Sequence, residues 1–207
     1  LLPSIPYTGP TGRVHQGVAH VRWLDDTSLV YVGQQVSYPA VCMSCVLRDT
    51  LASGLEVVRI DFGSPNPVLR VLPGTDQASS VAVVGRDTLF FTINGDTRIF
   101  RLTLANDSVT MFHDFGSGNI ARDVQADAGR VIAVVGGKVS FTPDSVIGGI
   151  QRDSGGTIVL VSPASGSETP IAAGMLFRHP ALAPDGQRIV AESYAGRSTD
   201  LWLLETP

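Results

Sequence analysis

The chain is poor in charge, in lysine, in cysteine and in long apolar runs, and each shortage removes a class of function. Of its 207 residues only 16% are charged, 15 basic against 19 acidic, for a net charge of −4. That balance lacks the electrostatic footprint of a nucleic-acid binder. The longest apolar runs, such as "VIAVV" at 131 to 135, fall far short of the roughly 20 residues that a membrane-spanning helix needs, so no membrane insertion is expected. Lys138 is the only lysine, a bias of genome composition rather than of mechanism. The two cysteines, Cys42 and Cys45 in "CMSC", have no second pair to complete a zinc site and no helix to make a redox motif. They read as a local disulfide in an exported loop or as two plain thiols. No signal peptide is visible. Because Leu1 is not a start methionine, the chain is expected to be a processed or excised piece.

What the chain has in plenty is apolar residues (43%), glycine (22) and proline (13). Apolar runs of four to eight residues alternate with Asp-Thr, Asp-Gly, Asn-Gly and Ala-Gly pairs, the pattern of short strands joined by tight turns. No window carries an apolar stripe at helical spacing. The expected class is all-β.

The strands repeat. "HVRWLDDTSLVYVG" (20 to 33), "SVAVVGRDTLFFTING" (80 to 95), "RDVQADAGRVIAVVGG" (122 to 137) and "HPALAPDGQRIVAESY" (179 to 194) are each a strand, a polar hairpin and a second strand. Each is followed by a third strand, and the first three by a fourth, the last of these being "TPIAAG" at 169 to 174. A longer echo joins "VSYPAVCMSCVLRDTLASGLEVVRI" (36 to 60) to "VSFTPDSVIGGIQRDSGGTIVLV" (139 to 161). In both, a long excursion separates Val-Ser-aromatic from Arg-Asp and a glycine-led strand. A repeated four-stranded unit of roughly 40 to 50 residues is a β-propeller blade, and a sandwich gives no reason for such repetition. Four antiparallel blades are expected near 17–75, 76–118, 119–175 and 176–207, with residues 1–16 as a segment able to close the ring by adding a strand. Three arrangements stay open for four blades: a small closed ring, part of a larger propeller, or two associated copies.

The final repeat, "RHPALAPDGQRIVAESYAGRSTDLWLLE", resembles the TolB-type propeller repeat, a Pro-Asp relative of the WD repeat. Leu182 stands at the aromatic position, Ala183-Pro184-Asp185-Gly186 at the turn, and Asp200-Leu201-Trp202 at the third-strand signature. The first repeat matches through Trp23 and Asp25-Asp26 but lacks the proline and glycine, and the middle two are degenerate. The resemblance implies a non-catalytic interaction module, bacterial and extracytoplasmic (periplasmic or secreted), that presents loops and a central channel to a protein or peptide partner. Two alternatives stay open. One is the substrate-gating propeller of a larger serine hydrolase; the other is the sensor domain of a receptor kinase.

Sites of chemistry are sparse. No G-x-S-x-G occurs, so the chain has no nucleophile elbow. "GSGNIA" at 116 to 121 runs into a turn at Gly129 rather than a helix, against a dinucleotide site. The four histidines are not at metal-ligand spacings. No enzyme activity, cofactor or metal is expected. Laid over one another by their hairpins, the repeats place His20, Ser80, Arg122 and His179 at one position early in each first strand, flanked by Asp123 and Arg178. Innermost strands line a propeller channel, so His20, Arg122, Asp123, Arg178 and His179 are the expected ligand-binding residues. They would form a cationic funnel for a carboxylate, tightening as pH falls towards about 6.5.

Overall fold

The computed structural model describes residues 13–37, 50–59, 68–127, 129–136, 139–142, 150–153, 155–195 and 198–206. Cys42 and Cys45 lie outside them, as does most of the expected N-terminal segment. Among the described residues every ladder is antiparallel and no helix occurs.

Strands β1 (Arg13–Asp25), β2 (Ser28–Ser37), β3 (Thr50–Arg59) and β4 (Val68–Val71) form the first sheet in that order. The second sheet is β5 (Ala78–Val84), β6 (Thr88–Ile93), β7 (Arg98–Thr103) and β8 (Ser108–Asp114), again in sequence order. The third sheet has six strands. Its first limb is β9 (Ala121–Ala126), β10 (Val131–Val135) and β13 (Gly156–Val161), and its second is β15 (Arg188–Ala195) and β16 (Ser198–Glu205). One long strand, β14 (Glu168–Leu182), joins them. It pairs with β13 up to Phe177 and with β15 from Phe177 onward. Two strands, "TPIAAG" and "HPAL", were expected here; no turn separates them, so the chain passes straight from one limb to the next.

The two echoing excursions are built alike. In the first sheet β2 and β3 extend their ladder out to Val36↔Leu51 and Ser37↔Thr50. In the third, β11 (Val139–Thr142) and β12 (Ile150–Asp153) form a separate ribbon with Val139↔Asp153 and Ser140↔Arg152. Each is an arm inserted between a second and a third strand.

Hairpin chemistry repeats as well. Asp25 Oδ1 accepts a bond from the Thr27 backbone N–H (2.8 Å), Asp127 Oδ1 from Gly129 (2.8 Å) and Asp185 Oδ1 from Gln187 (2.9 Å). The aspartates of "DDT", "DAG" and "PDG" thus do the same work: a side-chain oxygen replaces a backbone acceptor and closes the turn. The backbone donors hold Asp25 and Asp185 below the usual carboxylate range, with Thr27 and Gln187 the leading influences.

Three apolar clusters stack through the molecule. Val30, Val32, Leu55 and Leu72 of the first sheet and its exit turn meet Val81, Leu89, Phe91 and Leu102 of the second. The opposite face of the second sheet, with Phe90 and Ile99, meets Val124, Val131, Ala133 and Val159. Ile132, Val134 and Ile158 then meet Phe177, Ile189 and Ala191 of the last limb. Strands buried on both faces explain why β6 and β10 read as continuous apolar runs.

One polar link crosses this core. Ser80, fully buried, pairs its hydroxyl with Thr92 Oγ1 (2.6 Å) and accepts the Val124 backbone N–H (3.0 Å) from the neighbouring sheet. Ser80→Ala strands that N–H in an apolar interface, and the unfolding free energy should drop by about 1–3 kcal/mol in a urea titration. A loss below about 0.5 kcal/mol would show that the link contributes nothing.

Candidate functional site at the first-strand bulges

At one equivalent place each first strand carries one more residue than its neighbour can pair, and β1 slips at two further places as well. The register slips between Ala19 and Arg22, between Ala78 and Ser80, between Arg122 and Gln125, and between Arg178 and Ala181. In three of the four the extra residue is a non-glycine held in the left-handed region: His20 at φ 52°, Asp123 at 49° and His179 at 49°. Such a conformation costs roughly 1–2 kcal/mol for an L-residue, though histidine and aspartate adopt it more readily than most. The fold holds that strain three times at one structural position. Strain of this kind persists where it aims side chains.

The side chains meet. Asp123 Oδ2 accepts the His179 backbone N–H (3.1 Å), and Asp123 Oδ1 lies 3.9 Å from His20 Nε2. Glu192 Oε2 accepts from Arg178 Nε (3.1 Å) and stands 3.3 Å from His179 Nδ1. Arg22, two residues after His20, adds a half-buried guanidinium that feels the charge of Asp123. The structure therefore gathers four of the five expected residues: His20, Asp123, Arg178 and His179.

Arg122 does not join them. Its Nη2 donates to the carbonyls of Gly136 (2.6 Å) and Gly155 (2.8 Å). The bulge is the reason. Hairpin counting aligned Ser80 and Arg122 with the histidines, but the extra residue puts Ser79 and Asp123 there instead. Glu192 and Arg22 went unnoticed in the sequence. Arg178 and Glu192 are cross-strand partners only by virtue of the bulge, so a register count from the turn does not reveal the pair. Together the guanidinia of Arg22 and Arg178 and the carboxylates of Asp123 and Glu192 make a balanced cluster, not a cationic funnel. Such a cluster can orient a polar chain by hydrogen bonds rather than attract one sign of charge.

Burial is the largest influence on His20 and lowers it from its usual 6.5; Asp123 opposes this, while Arg22 and His179 add to the lowering. The native protein then binds this proton less readily than the unfolded chain. The sign follows: the stability carried by neutral His20 is complete above 6.5 and is lost as pH falls below it, through the lower native value. His20→Asn keeps a residue that tolerates the left-handed backbone. It should flatten the decline of melting temperature between about pH 7 and about pH 5, and an unchanged slope would clear His20. Burial makes His20 a weaker source of any ligand tightening towards 6.5, because it takes up its proton less readily than a free histidine.

No family model matches the chain, and no curated protein matches it. Among solved structures, a puromycin hydrolase mutant complexed with PGG aligns over 92% of this chain and 27% of its own, at 14% identity and a TM-score of 0.58. TolB from Acinetobacter baumannii aligns over 92% of this chain and 52% of its own, at 14% identity and a TM-score of 0.42. An oligogalacturonate lyase in complex with manganese aligns over 87% and 62%, at 14% and 0.41. The chain thus spans about a quarter of the hydrolase and about half of TolB. The expectation that no enzyme is involved is overturned as a reading of this fold, since a hydrolase stands among the similar structures. What the likeness to the hydrolase shows is the fold, an all-β chain of antiparallel sheets stacked in the manner of a β-propeller.

Proposed function

We propose that this chain is the propeller part of a larger serine hydrolase acting on peptide-like amides, with its sheets serving as blades of TolB type near 17–75, 76–118, 119–175 and 176–207. The observation that carries the reading is the alignment of 92% of the chain with a stretch amounting to 27% of a puromycin hydrolase. The absence of a nucleophile elbow from these 207 residues fits it: the reacting serine would lie elsewhere in the polypeptide. In this role the propeller restricts access. His20, Asp123, Arg178 and His179 line the inner strands, where an entering peptide exchanges hydrogen bonds with a cluster that carries no net pull on either terminus.

The test uses the polypeptide as the cell makes it. A fluorophosphonate probe should label it on serine, and it should cleave puromycin or short peptidyl anilides. A polypeptide that is inert to both, or whose reading frame contains no nucleophile elbow, removes the hydrolase reading.

A further inference from the structure

Alternation along the second strand of each sheet assigns one apolar face to each neighbour. On β6, Leu89 and Phe91 join the cluster shared with the first sheet, and Phe90 the cluster shared with the third. On β10, Val131, Ala133 and Val135 look towards the second sheet, and Ile132 and Val134 towards the last limb. On β15, Ile189 and Ala191 look back into that same cluster. Val190, between them, looks the other way, and nothing among the described residues covers it.

Val190 is 42% exposed, its cross-strand partner Leu203 65%, and Leu201 on the same face 74%. On the inner face of β16, Trp202 meets the Phe177 ring edge-on (6.4 Å) and Leu204 packs against the cluster. The strand "LWLL" at 201 to 204 is therefore apolar on both faces. A sheet that ends a stack and faces water alternates apolar with polar; one enclosed on both sides reads as β16 does. Around the exposed strip stand Arg188, Glu192 and Glu205, a polar rim about an apolar centre, which is how protein interfaces are built.

We infer that Val190, Leu201 and Leu203 form the docking face for one further antiparallel sheet of the same polypeptide, packed on β15–β16 as the second sheet packs on the first. The inference rests on the hydrolase reading, in which the polypeptide continues beyond these residues. It identifies the occupant by its chemistry, an apolar sheet face of aliphatic residues and phenylalanine, because three successive interfaces in this molecule are of that one kind.

The experiment is thiol labelling of the native polypeptide with Cys42 and Cys45 changed to serine. Leu203→Cys is compared with Ala105→Cys, an exposed position in the β7–β8 turn; Val190→Cys is the second probe should Leu203→Cys fail to fold. Both interface positions should react with a maleimide at least about a hundredfold more slowly than position 105, at every protein concentration. Labelling within about fivefold of the control overturns the inference. Protection that vanishes on dilution also overturns it, because a second copy is then the occupant. Hydrolysis of peptidyl anilides by the same preparation shows separately whether the hydrolase reading stands.

Discussion

Phe177→Ala should lower the unfolding free energy by about 3–5 kcal/mol, the cost of emptying a large aromatic site in a packed core. Phe177 is 1% exposed and sits where β14 leaves β13 for β15, opposite Gly156 on one side and Ser193 on the other. Its ring shares a cluster with Ile132, Val134, Ile158, Ile189 and Ala191, which belong to both limbs of the third sheet. The site cannot relax inward. A Cβ on Gly156 would stand 2.5 Å from the Val135 carbonyl oxygen, and one on Gly155 would stand 2.8 Å from the Phe177 carbonyl oxygen. Main chain is already in contact there, so the cavity stays open. Urea denaturation should show the midpoint falling with the slope kept. Met111→Ala, at a side chain 59% exposed, should shift stability by no more than about 0.5 kcal/mol. Equal losses at the two positions would mean that the last limb is not packed through Phe177.

Much of this architecture was legible in the residues. The strands of "SVAVVGRDTLFFTING" and the arms beginning Val36-Ser37 and Val139-Ser140 lie where the repeats put them, because turn chemistry and apolar runs are local signals. The bulges were not legible. A bulge adds one residue to a strand without changing its composition, and a single residue reverses which side chains face inward. Counting back from the Pro184–Gly186 turn opposes His179 to Glu192, whereas the structure opposes Arg178 to it. The same slip displaced Ser80 and Arg122 from the positions given to them. The left-handed conformations of His20, Asp123 and His179 left no mark either, since histidine and aspartate occur widely in ordinary strands and turns. Continuous β14 was missed for the opposite reason. Its Gly174 and Pro180 read as punctuation, yet pairing to two different partners carried the strand through both.

Arg122→Ala should destabilise the fold by about 2–4 kcal/mol rather than merely weaken a ligand, since hydrogen bonds from a charged donor to partly buried acceptors contribute about 1.5–3 kcal/mol each. The two acceptors explain why this side chain is structural. Gly136 follows the end of β10 and Gly155 precedes β13, both with left-handed φ (84° and 71°), and the β11–β12 ribbon lies between them. One guanidinium nitrogen, 2.6 Å from the first carbonyl and 2.8 Å from the second, therefore ties the point where the chain leaves the sheet to the point where it returns. Alanine leaves both carbonyls without that donor and opens the base of the arm. Arg122→Lys should restore only part of the loss, because a flexible ammonium does not reproduce the fixed geometry of a planar guanidinium. Thermal unfolding measures the stability, and limited proteolysis measures the arm, where cleavage between residues 136 and 155 should accelerate in the alanine variant and less so in the lysine one. If Arg122→Ala melts with the wild type while Arg178→Ala alone alters substrate KM, the guanidinium of Arg122 is not holding the arm, and its bonds to Gly136 and Gly155 are incidental.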